Sequence, residues 1–83
     1  MLIAVEATRL EREVRGIGRY VRAILPRLVA LRPDLQLLLF AKSRRGVASL
    51  AGIVARDPKL CDRASVRHVR EMARTPADVY WYP

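Results

Sequence analysis

Apolar positions follow two rhythms along the chain. Leu2-Ile3-Ala4-Val5 is a short continuous run, and Leu35, Leu37, Leu38, Leu39 and Phe40 make a second. Such runs suit strands covered on both faces of a parallel sheet. Between them, Ile17, Tyr20, Val21, Ile24, Leu25, Leu28 and Val29 recur at steps of three and four, which gathers them on one face of a helix over 17–31. Pro26 is a misfit inside that helix. It removes a backbone bond to Arg22, costs about 3 kcal/mol in an exposed helix interior, and is expected to kink the helix or split it in two. Arg32-Pro33-Asp34 ends the helix, because a residue before proline avoids the helical region.

The later part of the chain is patterned more weakly. Residues 42–46 form a basic turn, and Val47, Leu50, Ala51 and Val54 then repeat at helical spacing, predicting a second helix over 47–56. Gly52 weakens that helix, and Asp57-Pro58 closes it. Alternation over Val66-Arg67-His68-Val69-Arg70 predicts a half-exposed third strand, and residues 71–77 read as a loop. Val79-Tyr80-Trp81-Tyr82 is a fourth strand on aromatic propensity. Residues 6–15, with charges of alternating sign and no apolar period, form a loop at the carboxyl end of the first strand.

Strand, helix, strand, helix, strand, strand is an α/β alternation. It predicts a partial Rossmann-like parallel sheet in the order 3-2-1-4, with right-handed crossovers and two helices, in a single partial domain over 1–83. The first strand is then interior, and a crevice opens at its carboxyl end, beside the loop leading to Gly18. The outer edge of the fourth strand is expected to be open, as in half of a larger domain.

Composition narrows the setting. An 83-residue chain buries only about 60% of its unfolded surface, which makes it marginal alone. Sixteen basic residues against eight acidic give a formal charge of +8, and all but Lys42 and Lys59 of the basic residues are arginines. That balance suits phosphorylated substrates, an anionic membrane face or nucleic acid. The arginines are scattered rather than blocked, so many of them serve as a solvated surface. No run is long enough to cross a bilayer, and the opening residues lack a signal peptide's basic leader. Cys61 is the sole cysteine, with no disulfide partner and no metal knuckle, and the expected setting is a reducing cytoplasm.

Gly16 and Gly18 open the long helix, where backbone N–H groups are unpaired and the dipole is positive. A dinucleotide fingerprint is not met. Its third small residue is Val21 here, and Val5 lies eleven positions before Gly16. A Walker loop is absent. The glycines either make the turn into the helix or let an anion approach it, with Arg15 and Arg19 placed to pair with phosphate oxygens. Glu6 is a candidate base or a cap. His68 and Cys61 lack catalytic partners in sequence, and Tyr80, Trp81 and Tyr82 form either a stacking platform or core.

The short first strand, the string Gly16-Ile17-Gly18-Arg19-Tyr20-Val21-Arg22 with Leu25 and Leu28, and Leu31-Arg32-Pro33-Asp34 before a leucine-rich strand ending in Phe40-Ala41 resemble the opening of glycosyltransferase family 4. Pro76 to Pro83 is similar to that family's fourth strand. The resemblance implies a GT-B architecture, in which two Rossmann-like domains face each other across a cleft. It implies transfer of a sugar from a nucleotide-diphosphate donor to a glycan or lipid-linked acceptor, with no metal and no cofactor beyond the donor substrate. Carried over by position, Gly16 and Gly18 are the loop near the donor diphosphate, with Arg19 and Arg15 beside it and Glu6 on the acceptor side. The family often has Asp where this chain has Glu6. The C-terminal nucleotide-gripping domain is not encoded in these residues, so the chain is expected to be inactive alone and to need that domain or a partner chain. The expected location is cytoplasmic, with peripheral contact to the inner membrane face through the basic surface. No nucleic acid is expected as a partner on this reading. Two rival readings are a small basic nucleic-acid-binding module, which would bind DNA or RNA in a salt-dependent way, and a non-catalytic piece that completes its sheet on a partner chain.

Overall fold

The computed structural model describes residues 1–8 and 16–83. The side chains of residues 16–18, 20 and 21 fall outside that description, as do residues 9–15, on which Arg15 and most of the loop expected over 6–15 fall. In chain order the elements are strand β1 (Leu2–Glu6), helix α1 (Gly16–Leu31), strand β2 (Gln36–Ala41), helix α2 (Arg44–Arg56), strand β3 (Ala64–His68), a 3₁₀ segment (Val69–Arg74) and strand β4 (Val79–Trp81). The four strands form one sheet, all parallel, in the order β3-β2-β1-β4. The expected α/β partial Rossmann-like sheet is therefore present, with β1 inside it.

The topology decides how each face is covered. From β1 to β2 to β3 the chain steps in one direction, and right-handed crossovers put α1 and α2 on the same face. There Val5, Ala7, Leu37, Leu39 and Ala41 pack with Leu25, Val29, Leu50 and Val54. After β3 the chain steps back past β2 and β1 to reach β4, so its crossover lies on the opposite face. That crossover is the 3₁₀ segment, whose Met72 packs on Ala4, Leu38 and Phe40. β2 is buried on both faces from Leu37 to Ala41, which is why its sequence is a continuous apolar run. Phe40 is fully buried, a burial contributing roughly 1.5–3 kcal/mol.

The amino edge of the sheet is tied shut by polar groups. Asp78 accepts the Leu2 N–H at 2.7 Å, and the Asp78 N–H donates to the Leu2 carbonyl at 2.9 Å. Arg63 donates from Nε to the Leu35 carbonyl at 2.7 Å and from its guanidinium to the Arg32 carbonyl. Arg32 in turn grips the Asp34 carboxylate through two bonds, at 3.2 and 3.1 Å. These bonds satisfy carbonyls in the turn between α1 and β2 and fasten the starts of β1, β2 and β4.

Several boundaries differ from the sequence expectation. α1 runs through Pro26 as one sixteen-residue helix rather than two. Leu25 and Val29, on either side of Pro26, are buried in the same core, and that shared burial holds both halves in line. α2 begins at Arg44 rather than at 47, because Ser43 caps it by accepting the Gly46 N–H at 3.0 Å. β3 is displaced toward the amino end, to Ala64–His68, and the expected loop over 71–77 begins as the end of the 3₁₀ segment.

Candidate functional site

A helix joining two parallel strands runs antiparallel to them. The N-termini of α1 and α2 therefore both lie at the sheet's carboxyl edge, and their C-termini lie at the tied amino edge. At the carboxyl edge the chain reverses its direction of travel between β1 and β4, the place where open α/β sheets form a ligand crevice. Glu6 ends β1 in register with Phe40 of β2, and Ala7, buried beside it, donates its N–H to the Phe40 carbonyl at 2.9 Å.

Glu6 is half-buried and its carboxylate is already engaged. Oε1 accepts the Thr8 N–H at 3.0 Å and the Thr8 hydroxyl as well. Thr8 carried no functional signal in the sequence, yet it shapes the turn leaving β1. The capping role left open for Glu6 is thus occupied. α1 begins at Gly16, with Gly18 in its first turn, no acidic residue in that turn, and Arg19 exposed on it. The first four N–H groups of a helix have no partner within the helix, and its dipole is positive there. The sheet and α1 position Gly16, Gly18, Arg19 and Glu6 at one edge; Arg15 lies outside the described residues.

A second basic helix tip stands beside the first. Lys42 and the exposed Arg44 and Arg45 cluster where β2 turns into α2, again with no acidic residue in the first turn. Ser43 followed by Gly46 at capping distance is the sequence signal that marks this tip. Among the described residues most of the acids lie at the amino edge, beside Arg32, Arg56, Lys59 and Arg63. All four aspartates, Asp34, Asp57, Asp62 and Asp78, precede strands at the amino edge. At the carboxyl edge the acids among the described residues are Glu6 and Glu71, against Arg19, Lys42, Arg44, Arg45 and Arg70. Anions are drawn to that edge.

Other singled-out residues are structural. His68 caps the 3₁₀ segment, its Nδ1 accepting the Arg70 N–H at 3.1 Å. The Tyr80 hydroxyl accepts the Ala77 N–H at 3.1 Å and donates to the Thr75 carbonyl, which pins the loop before β4. Trp81 packs against the core under the helices, and Tyr82 is exposed. The three aromatics therefore do not make one continuous platform. Cys61 is exposed, and its thiol lies 3.7 Å from the Pro58 carbonyl.

A cavity of about 290 Å³ lies away from the crevice, at the amino edge, between Val29, Ala30, Pro58, Lys59, Asp62 and Arg63. Arg63 is committed there to two main-chain carbonyls. No group of three or more His, Cys, Asp or Glu side chains suited to a metal occurs among the described residues. Among them, too, no helix is long and apolar enough to cross a membrane. No family model, curated protein or solved structure matches the chain.

Proposed function

We propose that this chain forms the acceptor-side, N-terminal part of a glycosyltransferase that moves a sugar from a nucleotide-diphosphate donor to a glycan or lipid-linked acceptor. The observation that carries the proposal is the interior position of β1 with the glycine-flanked tip of α1 at its carboxyl end. A diphosphate at that tip meets unpaired helix N–H groups, the positive dipole and the Arg19 guanidinium. Arg44 and Arg45, at the neighbouring tip, add positive potential to the same edge. The resemblance of Gly16 to Arg22, and of the strand ending in Phe40-Ala41, to glycosyltransferase family 4 supports the same reading.

In this reading the catalytic work is shared. This chain supplies the floor of the cleft and part of the diphosphate cradle. A second half, carried by further polypeptide or by a partner chain, grips the nucleotide. The test pairs the chain with such a nucleotide-binding half and follows sugar release from a nucleotide-diphosphate sugar. Activity that Gly16→Val removes while the fold survives supports the proposal. Activity unchanged by Gly16→Val removes the role assigned to the loop.

A further inference from the structure

Arginines that are scattered along the sequence collect on one layer of the fold. α1 and α2 together hold Arg19, Arg22, Arg27, Arg44, Arg45 and Arg56 and no acidic residue, so most of the formal charge of +8 is carried by the two helices. Both helices cover the same face of the sheet and turn Leu25, Val29, Leu50 and Val54 into one core. Their opposite sides therefore form one outer surface.

That surface has a narrow composition. Among the described side chains α1 exposes Arg19, Ala23, Arg27, Ala30 and Leu31, a single stripe at helical spacing. α2 exposes Arg44, Arg45 and Arg56, with only alanines and a serine exposed between them. A helix face that meets only water usually mixes both signs, because opposite charges three or four residues apart stabilise it. No acid plays that part on either helix. Arg44 and Arg45 also stand in the first turn of α2, where the dipole is positive, so an anionic surface beside them relieves an unfavourable placement. Asp57 and Asp62, in the turn after α2, are balanced by Lys59 and Arg63.

We infer that the outer surface of α1 and α2 lies against a bilayer containing anionic phospholipids. Exposed Arg19, Arg27, Arg44, Arg45 and Arg56 make a basic cluster of the size that holds such lipids. They are spread over two neighbouring helices, as a plane of headgroups requires, and the alanines between them let that plane come close. The α1 stripe ends in Leu31, which is 79% exposed. The acyl boundary of a bilayer takes up such a side chain, and a phosphodiester strand does not. Among the described side chains this surface exposes no aromatic ring to stack on a base. These features favour lipid over nucleic acid. The inference is independent of the sugar-transfer proposal, whose anion site is the tip of α1.

Co-sedimentation of the whole chain with vesicles reads the contact. Vesicles of phosphatidylglycerol and phosphatidylcholine in equal parts should bind it, less tightly as salt rises, and vesicles of phosphatidylcholine alone should not. Arg27→Gln and Arg56→Gln, away from the tip of α1, should each weaken binding about fivefold. Leu31→Ser should weaken it in high salt as well, where charge is screened. Arg67 lies in register with Phe40, on the sheet face that Met72 covers, and Arg70 belongs to the 3₁₀ segment over that face. Arg67→Gln and Arg70→Gln should therefore leave binding unchanged. All these positions but none of the core are exposed, and thermal unfolding checks that each variant keeps its fold. No binding to the anionic vesicles, equal losses from both sides of the sheet, or tighter binding to single-stranded RNA at the same salt overturns the inference.

Discussion

Asp78 and Leu2 hold each other reciprocally. The Asp78 carboxylate accepts the Leu2 N–H at 2.7 Å while the Asp78 N–H donates to the Leu2 carbonyl at 2.9 Å. This pair fastens the start of the short β4 to the start of β1, and so makes β1 an interior strand. Asp78→Ala should cost about 1 kcal/mol, the scale of a net hydrogen bond at an exposed site. Hydrogen exchange should quicken along β4 ahead of β2 and β3. Equal loss of protection across all four strands would contradict the role given to this pair.

Arg63 makes a comparable prediction on the other side of the sheet. Its guanidinium spans the Leu35 and Arg32 carbonyls, a reach that the single ammonium of lysine does not reproduce. Arg63→Lys should therefore destabilise the fold, by about 1–2 kcal/mol in denaturant unfolding. A neutral result would mean that water satisfies these carbonyls equally well.

Met72 is the buried residue of the 3₁₀ segment and lies over Ala4, Leu38 and Phe40. Met72→Ala should cost about 2 kcal/mol, the lower end for a large-to-small core change, because the segment can settle toward the sheet. The variant should also expose Phe40, read as a gain in dye binding to apolar surface. Unchanged stability would mean that this face does not depend on the crossover.

Much of the fold is legible in the residues. The two apolar runs place β1 and β2, and the three-and-four spacing places α1, because burial on both faces or along one stripe leaves a direct periodic mark. The beginnings and ends of elements are less legible, since they depend on single hydrogen bonds. Ser43 starts α2 earlier than the apolar spacing does, and His68 caps a 3₁₀ segment that has no period of its own. Pro26 is a local signal overridden by the common burial of Leu25 and Val29. At the site, the glycines at the tip of α1 are visible in the sequence. The engagement of Glu6 by Thr8 and the gathering of the aspartates at the amino edge appear only once the strands are aligned.

Acid should loosen the amino edge. The hydrogen bond from Arg32 holds the exposed Asp34 carboxyl below the usual carboxylate range, outweighing an opposing loss of hydration and aided by the Arg32 charge. A carboxyl lowered on folding adds stability above its unfolded value, and that stability disappears as pH falls through the folded value. The wild-type advantage over Asp34→Asn in thermal midpoint should accordingly be present at neutral pH, begin to shrink below about pH 4, and be lost only once the pH lies below the lowered folded value. An advantage that persists in stronger acid would point to packing rather than charge.

Backbone amide shifts of the labelled protein, followed while inorganic pyrophosphate is added, test the proposed anion site at the head of α1 most directly. The expected result is a saturable change centred on Gly16, Gly18 and Arg19, with Thr8 responding and the amino-edge residues Asp34, Arg63 and Asp78 unmoved. Shifts confined to Arg44 and Arg45, or spread evenly over the basic surface without saturation, would contradict it.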